Sequence, residues 1–438
     1  MNKKIKIFMF DFVPLKNKGE EAILRGIEDL LKHQTNNDIE MYFFDEVKKV
    51  TVLNNFTLLP KEWIFKSKAR SNIYLKRLIK DITNKIAIRV DYFLATFLNV
   101  HSIRSKIAKH NELLKLFNQC DLVLAGHDGV FSLIHSQVIL YSKSINKSVG
   151  TFGAGGYVHF DKANWIDKQL LLKSINQADF FYVREEGVIK ILNNLSGTHM
   201  AKLAPDPAFY MADLEPKDFQ RQLKENNLNE IINKDNYINV GVTIAHKRCN
   251  YLKPFFKSNL TLEEILNLHT TYLAETFDEL VGLNPKIKLI FLPHSLEIWP
   301  KNDVEAARRV IQSMKNKNSC ILIDKDLTPR FLKAFIRNLD FIIGQRAHSM
   351  IGAASVKTPY AALVASNDTR TIDILGKMCE QEDSMLFMDK TDSITQASEL
   401  FKLIKNRFNI KKDLELRMTS MFNNLIDVQK DIHSSIKS

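Results

Sequence analysis

Cysteine is scarce in this 438-residue chain. The four present, Cys120, Cys249, Cys320 and Cys379, are far apart and form no Cys-x-x-Cys pair. That excludes a disulfide scaffold or a structural zinc site and reads as a reduced, cytoplasmic protein. Long apolar runs are lacking too. No stretch of 18 or more apolar residues occurs, so no transmembrane helix is expected. The opening "MNKKIKIFMFDFVPL" has a charged start and an apolar run but no long apolar region and no small-residue cleavage site. It reads as a first strand rather than a signal peptide. No carboxylate and histidine cluster shows metal-ligand spacing, so neither a metal nor another cofactor is expected. There is no short-period repeat and no nucleic-acid-binding module.

Acidic residues are in deficit, 50 against 62 Lys and Arg, for a net charge of +12. The imbalance is local: Lys61 to Lys115 holds 13 basic and 4 acidic residues. Here "IYLKRLIKDI" and "IAIRVDYFLATFL" carry apolar residues at helical spacing, which predicts an amphipathic helical insertion with a basic face. That face is either simply solvated or a weak contact for an anionic membrane surface; nucleic acid fits it least.

Over the whole chain the composition is that of a soluble globular protein, 45% hydrophobic and 26% charged. Short apolar runs alternate with helical patterns. "KIKIFMFDF", "IEMYFFD", "CDLVLAG", "SVGTFGAGG" and "ADFFYVR" read as strands of one α/β half. A polar stretch from Asp213 to Asn236 reads as a helix plus linker. The alternation restarts with "YINVGVTIA", "IKLIFLPHS", "CILIDKD", "DFIIG" and "TPYAALVAS". Two parallel-sheet domains are predicted, 1–212 with the helical insertion at about 61–118, and 237–438 with C-terminal helices. Ligands of such folds sit at the carboxyl ends of the strands, and in a two-domain version in the cleft between.

Several strand ends carry polar or glycine signals: "KNKGEEAIL" around Gly19 and Glu20, "AGHDGVF" around His127 and Asp128, "GTFGAGGY", "VREEG" with Arg184, "APDPAF" with Asp206, and "GQRAHSMIGAASVKTP" with Arg346 and His348. A glycine cluster can cradle phosphate or simply turn the chain. Asp206, before a proline, reads as a turn former. Arg346 and His348 stand two residues apart at a strand-to-helix turn, with no Asp or Glu between Gln345 and Leu363.

The ordered set "NKGEEAIL", "LVLAGHDG", "GTFGAGG", "VREEGVIKIL", "DPAF", "VGVTI" and "QRAHSMIGAASVKTP" resembles the polysaccharide pyruvyl transferases, from about Ile5 to about Val364. The resemblance implies two Rossmann-like domains facing a central cleft, as in glycosyltransferases of the B type. It also implies transfer of pyruvate from phosphoenolpyruvate to a sugar diol of a cell-surface polysaccharide or its precursor, lipid-linked or free. A cyclic ketal forms and phosphate leaves. Two departures fall on the acceptor side. Gly19-Glu20 stands where the family usually has glycine-aspartate, and His127 and Asp128 stand between Gly126 and Gly129 where three consecutive glycines are usual.

Phosphoenolpyruvate is a small anion with a carboxylate and a phosphate, which arginine grips best. Arg346 is the first candidate and Arg184 the second, with Lys247 and Arg248 behind them. A salt bridge to the adjacent Glu185 or Glu186 is the structural alternative for Arg184, and a solvated loop for Lys247 and Arg248. The Arg346–His348 pair then makes sense if it meets an anionic substrate rather than a protein carboxylate. Ketal formation needs a proton donor to C3, a role that suits His348. A base for the sugar hydroxyls is to be sought among Glu20, Glu21, His127 and Asp128, and His294 is either a substrate contact or structural. Two other readings stay open: a nucleotide-sugar glycosyltransferase of the same fold, and a non-catalytic glycan-binding relative.

Overall fold

The computed structural model describes residues 4–35, 38–64, 86–87, 89–129, 131–155, 164–196, 201–232, 236–246, 249 and 260–437. The chain forms two compact units. The first gathers Met1–Pro14, Glu28–Asp206 and Asn424–Ser438. The second gathers Leu15–Ile27 and Pro207–Asn423.

The first unit is built on β1 (Ile5–Phe12), β2 (Ile39–Asp45), β3 (Thr51–Leu53), β4 (Phe56–Pro60), β5 (Leu122–Ala125), β6 (Ser148–Ala154), β7 (Phe180–Val183) and β8 (Lys202–Leu203). Their order is β3-β4-β2-β1-β5-β6-β7-β8, parallel throughout except for the β3–β4 pair. β1 and β5 are apolar on both faces because helices cover both sides of a parallel sheet. One core layer is aromatic, with the Phe8 and Phe117 rings edge-to-face at 5.1 Å and Phe10 and Phe44 at 5.5 Å. The described part of the predicted insertion is helical at 86–87 and 89–97, at Ser102–Ala108 and at Asn111–Gln119. Residues 65–85 and 88 lie outside the described residues.

The second unit holds β9 (Ile238–Thr243), β10 (Ile287–Phe291), β11 (Cys320–Leu322), β12 (Phe341–Gly344), β13 (Tyr360–Val364) and β14 (Met385–Phe387). All six are parallel, in the order β11-β10-β9-β12-β13-β14. This is the doubly wound Rossmann order. The order reverses between β9 and β12, and in the first sheet between β1 and β5. The crevice outside the carboxyl ends at such a point is where ligands of these folds bind.

The boundaries expected from the sequence, 1–212 and 237–438, need correction. The segment Asp213–Asn236 is not a linker: its helix Pro216–Glu225 buries Phe219 against Phe331, 5.3 Å between ring centres, inside the second unit. Residues 15–27 also belong there. Lys18 N donates to the His294 carbonyl at 2.8 Å, Leu296 N donates to the Lys16 carbonyl at 2.9 Å, and Gly26 lies against the Pro207 carbonyl. The last residues of the helix Arg407–Lys437 belong to the first unit, where Tyr182 and Lys202 bind Asp431, and Ser148 Oγ donates to the Ser435 carbonyl. Strand–helix alternation reads the chain as two consecutive blocks. Which unit a helix packs on is settled by long-range contacts that local periodicity does not carry. Among the described residues no helix is long and apolar enough to cross a membrane.

Candidate active site

In the second unit the switch point is stitched by Gln345, the residue after β12. Its backbone N donates to the Thr243 carbonyl at 2.9 Å, and its side-chain Oε1 accepts from Ala245 N at 2.9 Å. Ser349 Oγ and Thr243 Oγ1 lie 2.8 Å apart. Gly344 ends β12 so tightly that a Cβ there would run into Met350 and Thr243. Arg346 is then the N-cap residue of the helix Ala347–Ser355, and His348 lies in its first turn.

Arg346 does meet a protein carboxylate, contrary to the sequence-based expectation. Its Nε lies 3.2 Å from both oxygens of Asp303, its Nη2 also binds Asp303, and Nη2 donates to the Lys301 carbonyl at 3.4 Å. Asp303 is buried and accepts from His294 N at 2.9 Å and Ser295 N at 2.8 Å. One carboxylate therefore fixes both the guanidinium and the loop after β10. Nη1 of Arg346 makes no hydrogen bond among the described residues.

His348 packs on Gly19, from the far end of the chain. A Cβ at position 19 would stand 2.7 Å from Cγ and 2.9 Å from Cβ of His348, and nearer still to Nδ1, so only glycine admits the ring in this position. Lys18, beside it, is buried and pairs with Asp326 at 2.5 Å and Glu21 at 3.9 Å. Burial pushes the Glu21 carboxyl up, against the pull of Lys18 and Arg25. Glu20 accepts from Asn17 Nδ2 at 3.4 Å. His294 is buried and neutral, its pKa pushed down to about 3 by burial and by the nearby side chains of Arg346, His348 and Lys18, although its bond to the Leu292 carbonyl opposes this. Lys247 and Arg248 lie outside the described residues.

The first unit gathers its polar side chains at its own switch point. Arg184 is buried, 1% exposed, and its guanidinium binds Asp206, which is 0% exposed, and Asp128, whose Oδ1 lies 2.6 Å from Nη2. Glu185 follows at 3.9 Å, while Glu186 pairs with Lys190. The expected anion grip is thus engaged inside its own unit and fastens the loop after β5 to the segment after β8. Asp206, read as a turn former, is an ionic partner. His127 Nδ1 lies 2.9 Å from Asp11 Oδ2, which also accepts from His127 N at 3.2 Å, and His135 Nε2 lies 3.6 Å from the same oxygen. Burial raises the Asp11 carboxyl, but the His127 and His135 rings outweigh it and hold the group below the usual carboxylate range. Gly126 turns this loop with φ +82, a conformation that favours glycine.

A family model described as polysaccharide pyruvyl transferase matches residues 17–367. The chain belongs to that family. The matched span opens beside Gly19 and ends beyond the Arg346–His348 turn, so both sides of the Gly19–His348 contact lie within it. A search of curated proteins gave no significant match by sequence. By structure this pyruvyl transferase family member is similar to the UDP-GlcNAc 2-epimerase of Neisseria meningitidis, solved with UDP-GlcNAc, at 10% identity and TM-score 0.55, covering 98% of this chain and 99% of that one. It is also similar to sucrose-phosphate synthase of Thermosynechococcus elongatus, at 10% identity and TM-score 0.52 over 99% of each chain. The trehalose-6-phosphate synthase OtsA gives 12% identity and TM-score 0.51 over 100% and 99%. At such identities the likeness is one of fold, two Rossmann-like domains of the glycosyltransferase-B class.

Three contributors to these sites escape a reading of the sequence. Asp11 left a usable signal, being an acid inside the otherwise apolar "FMFDF". Asp303 left none, since the first turn of its helix, behind the Asn302 cap, is where an acid is expected anyway. Lys18 is one of five lysines in "KKIKIFMFDFVPLKNKGE", none of them set in a pattern of its own.

Proposed function

We propose that this pyruvyl transferase family member moves the pyruvyl group of phosphoenolpyruvate onto two hydroxyls of a saccharide, forming a ketal and releasing phosphate. The observation that carries the reading is the packing of His348 on Gly19, which joins two family motifs from opposite ends of the matched span beside the Arg346–Asp303 pair. The donor's anionic groups bind near the first turn of the helix Ala347–Ser355. There Arg346, oriented by Asp303, directs N–H donors, and the helix N-terminus favours negative charge. Because Asp303 offsets the charge of Arg346, orientation rather than net charge is its larger contribution. His348 protonates C3 of the enolpyruvyl group, making C2 electrophilic. One sugar hydroxyl adds to C2 as its proton is removed, the C2–O bond to phosphate breaks, and the second hydroxyl closes the ring, its proton leaving with phosphate. The net transfer is one acceptor proton to C3 and one to phosphate.

For the first hydroxyl proton we assign His127. Asp11 at its Nδ1 fixes the tautomer and stabilises the imidazolium that forms, the arrangement by which a carboxylate makes an imidazole an effective base. Asp11 is thus a positioning residue.

The test is incubation with phosphoenolpyruvate and galactose-, mannose- and glucose-containing acceptors, followed by product mass and phosphate release. His348→Ala is run in parallel. Donor binding by calorimetry should change little in this variant while turnover falls by about 10²–10⁴. Thermal stabilisation by nucleotide sugars and none by phosphoenolpyruvate would overturn the reading. A folded His348→Ala that releases phosphate at the wild-type rate would remove His348 from it.

A further inference from the structure

The helical residues 86–87 and 89–97 in the first unit carry two apolar faces. The inner one is ordinary: Ala95 is buried with Leu140 and Leu170, and Tyr92 packs beside them. The other is made by Ile86, Val90, Phe93 and Phe97, spaced four, three and four residues apart. At a helical 100° per residue these fall within about 60° of the circumference. A stripe of that kind usually marks the core-facing side of a helix. Here the four side chains are 59%, 51%, 44% and 43% exposed. Trp165, 61% exposed, extends the stripe, its ring stacked on Phe97 at 5.4 Å, and Phe93 lies 4.9 Å from Phe97. An apolar groove runs along the same face, with Arg89 on its rim.

We propose that this face docks on the surface of an anionic lipid bilayer. Its apolar side chains would enter the boundary between headgroups and acyl chains, and Arg89 with the other bases of this segment would meet the lipid phosphates. Charge argues for this occupant. From Lys61 to Lys115 the chain carries 13 basic and 4 acidic residues, a surplus of 13 − 4 = 9 out of a net +12 for the whole protein. Between Lys85 and Lys109 the one acid is Asp91, against Lys85, Arg89, Arg104, Lys106 and Lys109. A second copy of the chain would bring the same positively charged segment against itself, which disfavours a self-complementary contact. An exposed tryptophan beside a phenylalanine stripe, with Arg89 at the groove and a basic surplus in the surrounding sequence, is the composition of helices that lie in a membrane interface.

Flotation of the full chain with phosphatidylcholine vesicles, with and without phosphatidylglycerol, reads this directly. It needs neither donor nor acceptor, so its outcome is separate from that of the proposed reaction. The protein should float with the anionic vesicles at low salt and fall off at high salt. Phe93→Ser/Phe97→Ser and Ile86→Ser/Val90→Ser should each weaken binding about tenfold or more while keeping the wild-type circular dichroism and melting temperature, because the altered side chains are exposed. Equal flotation with both lipids, no flotation with either, or wild-type binding by both double variants overturns the proposal. So does a dimer in light scattering that both double variants dissolve, since the occupant would then be a second copy.

Discussion

Replacing Gly19 with alanine separates the packing role of the Gly19–His348 contact from its chemical one. Gly19 lies in the first turn of the helix Lys18–Thr35, and alanine is the better helix former by up to about 1 kcal/mol. At an open site that gain stands alone. Gly282, in the helix Leu262–Leu283, has nothing within 4 Å of the Cβ it would acquire, so Gly282→Ala is the control and should stabilise by about 0.5–1 kcal/mol. At position 19 the new Cβ would stand 2.7 Å from His348 Cγ and 2.9 Å from its Cβ. Ordinary carbon contacts begin near about 3.5 Å, so the imidazole must retreat by roughly 1 Å. An imidazole can do that by leaving its rotamer, at about 0.5–1.5 kcal/mol. This cost and the helix gain offset one another, and Gly19→Ala should melt within about 1 kcal/mol of the wild type.

Turnover should not be so forgiving. A misplacement of about 1 Å in a reacting group costs on the order of 10² in rate, or about 2.7 kcal/mol of activation free energy. The measurements are calorimetric melting, donor binding, and single-turnover phosphate release from phosphoenolpyruvate in the presence of acceptor. The expected pattern is a folded protein with near-normal donor affinity and a rate reduced by about two orders of magnitude. A folded Gly19→Ala that turns over like the wild type would break the link between the ring's position and the reaction. A loss of several kcal/mol in stability would instead mean that the contact is mainly packing.

The Asp11–His127 pair makes a different forecast. Asp11→Asn should lower turnover by about 10²–10⁴ and leave donor binding unchanged. The basic group's limb of the pH–rate profile should move to lower pH, because the imidazolium loses its carboxylate; an unmoved limb would refute the positioning role. The buried histidines of the second unit forecast an acid sensitivity. His246 and His294 are held down to about 3 and His269 to about 4, in each case chiefly by burial. Their folded values lie below the unfolded value of about 6.5, so the unfolded chain takes up protons first and stability falls as pH drops below that point. By pH 5 the loss should reach about 2 kcal/mol for each ring, and denaturant midpoints equal at pH 7.5 and pH 5 would refute it.

The features legible in the sequence were those fixed by local chemistry. Strands such as "KIKIFMFDF" and "DFIIG" are apolar on both faces because a parallel sheet buries both, and that pattern survives without any knowledge of neighbours. The strand-to-helix turn at Arg346 is likewise local, and so are Gly126, which turns the loop after β5, and Gly153, inside the end of β6, both with positive φ. Unit membership was not legible. The helix Lys18–Thr35 is one periodic segment, yet its first turns are tied to the loop after β10 and its later part to Gln429, which donates to the Leu30 carbonyl.

The availability of a cation is harder still to read, and here the two arginines are instructive. Each stands at a strand end in a sequence neighbourhood that says little about its partner. Arg346 has no acid near it, and Arg184 has two beside it. In the fold the first is paired with Asp303, 43 residues away, and the second is held mainly by Asp206 and Asp128, 22 and 56 residues away. Yet the two pairings leave different chemistry. Arg184 is 1% exposed with carboxylates at both terminal nitrogens, so its fork is committed to holding the Asp128 loop. The Arg346 side chain keeps 17% of its surface and, among the described residues, is bound through Nε and Nη2 alone. A guanidinium gripped on one edge by a buried carboxylate has lost net charge but gained a fixed direction for its other edge. On the reaction proposed above, discrimination between phosphoenolpyruvate and other small anions would rest on where those remaining N–H groups point, and Asp303 would then contribute to donor recognition without being near enough in sequence to have been suspected.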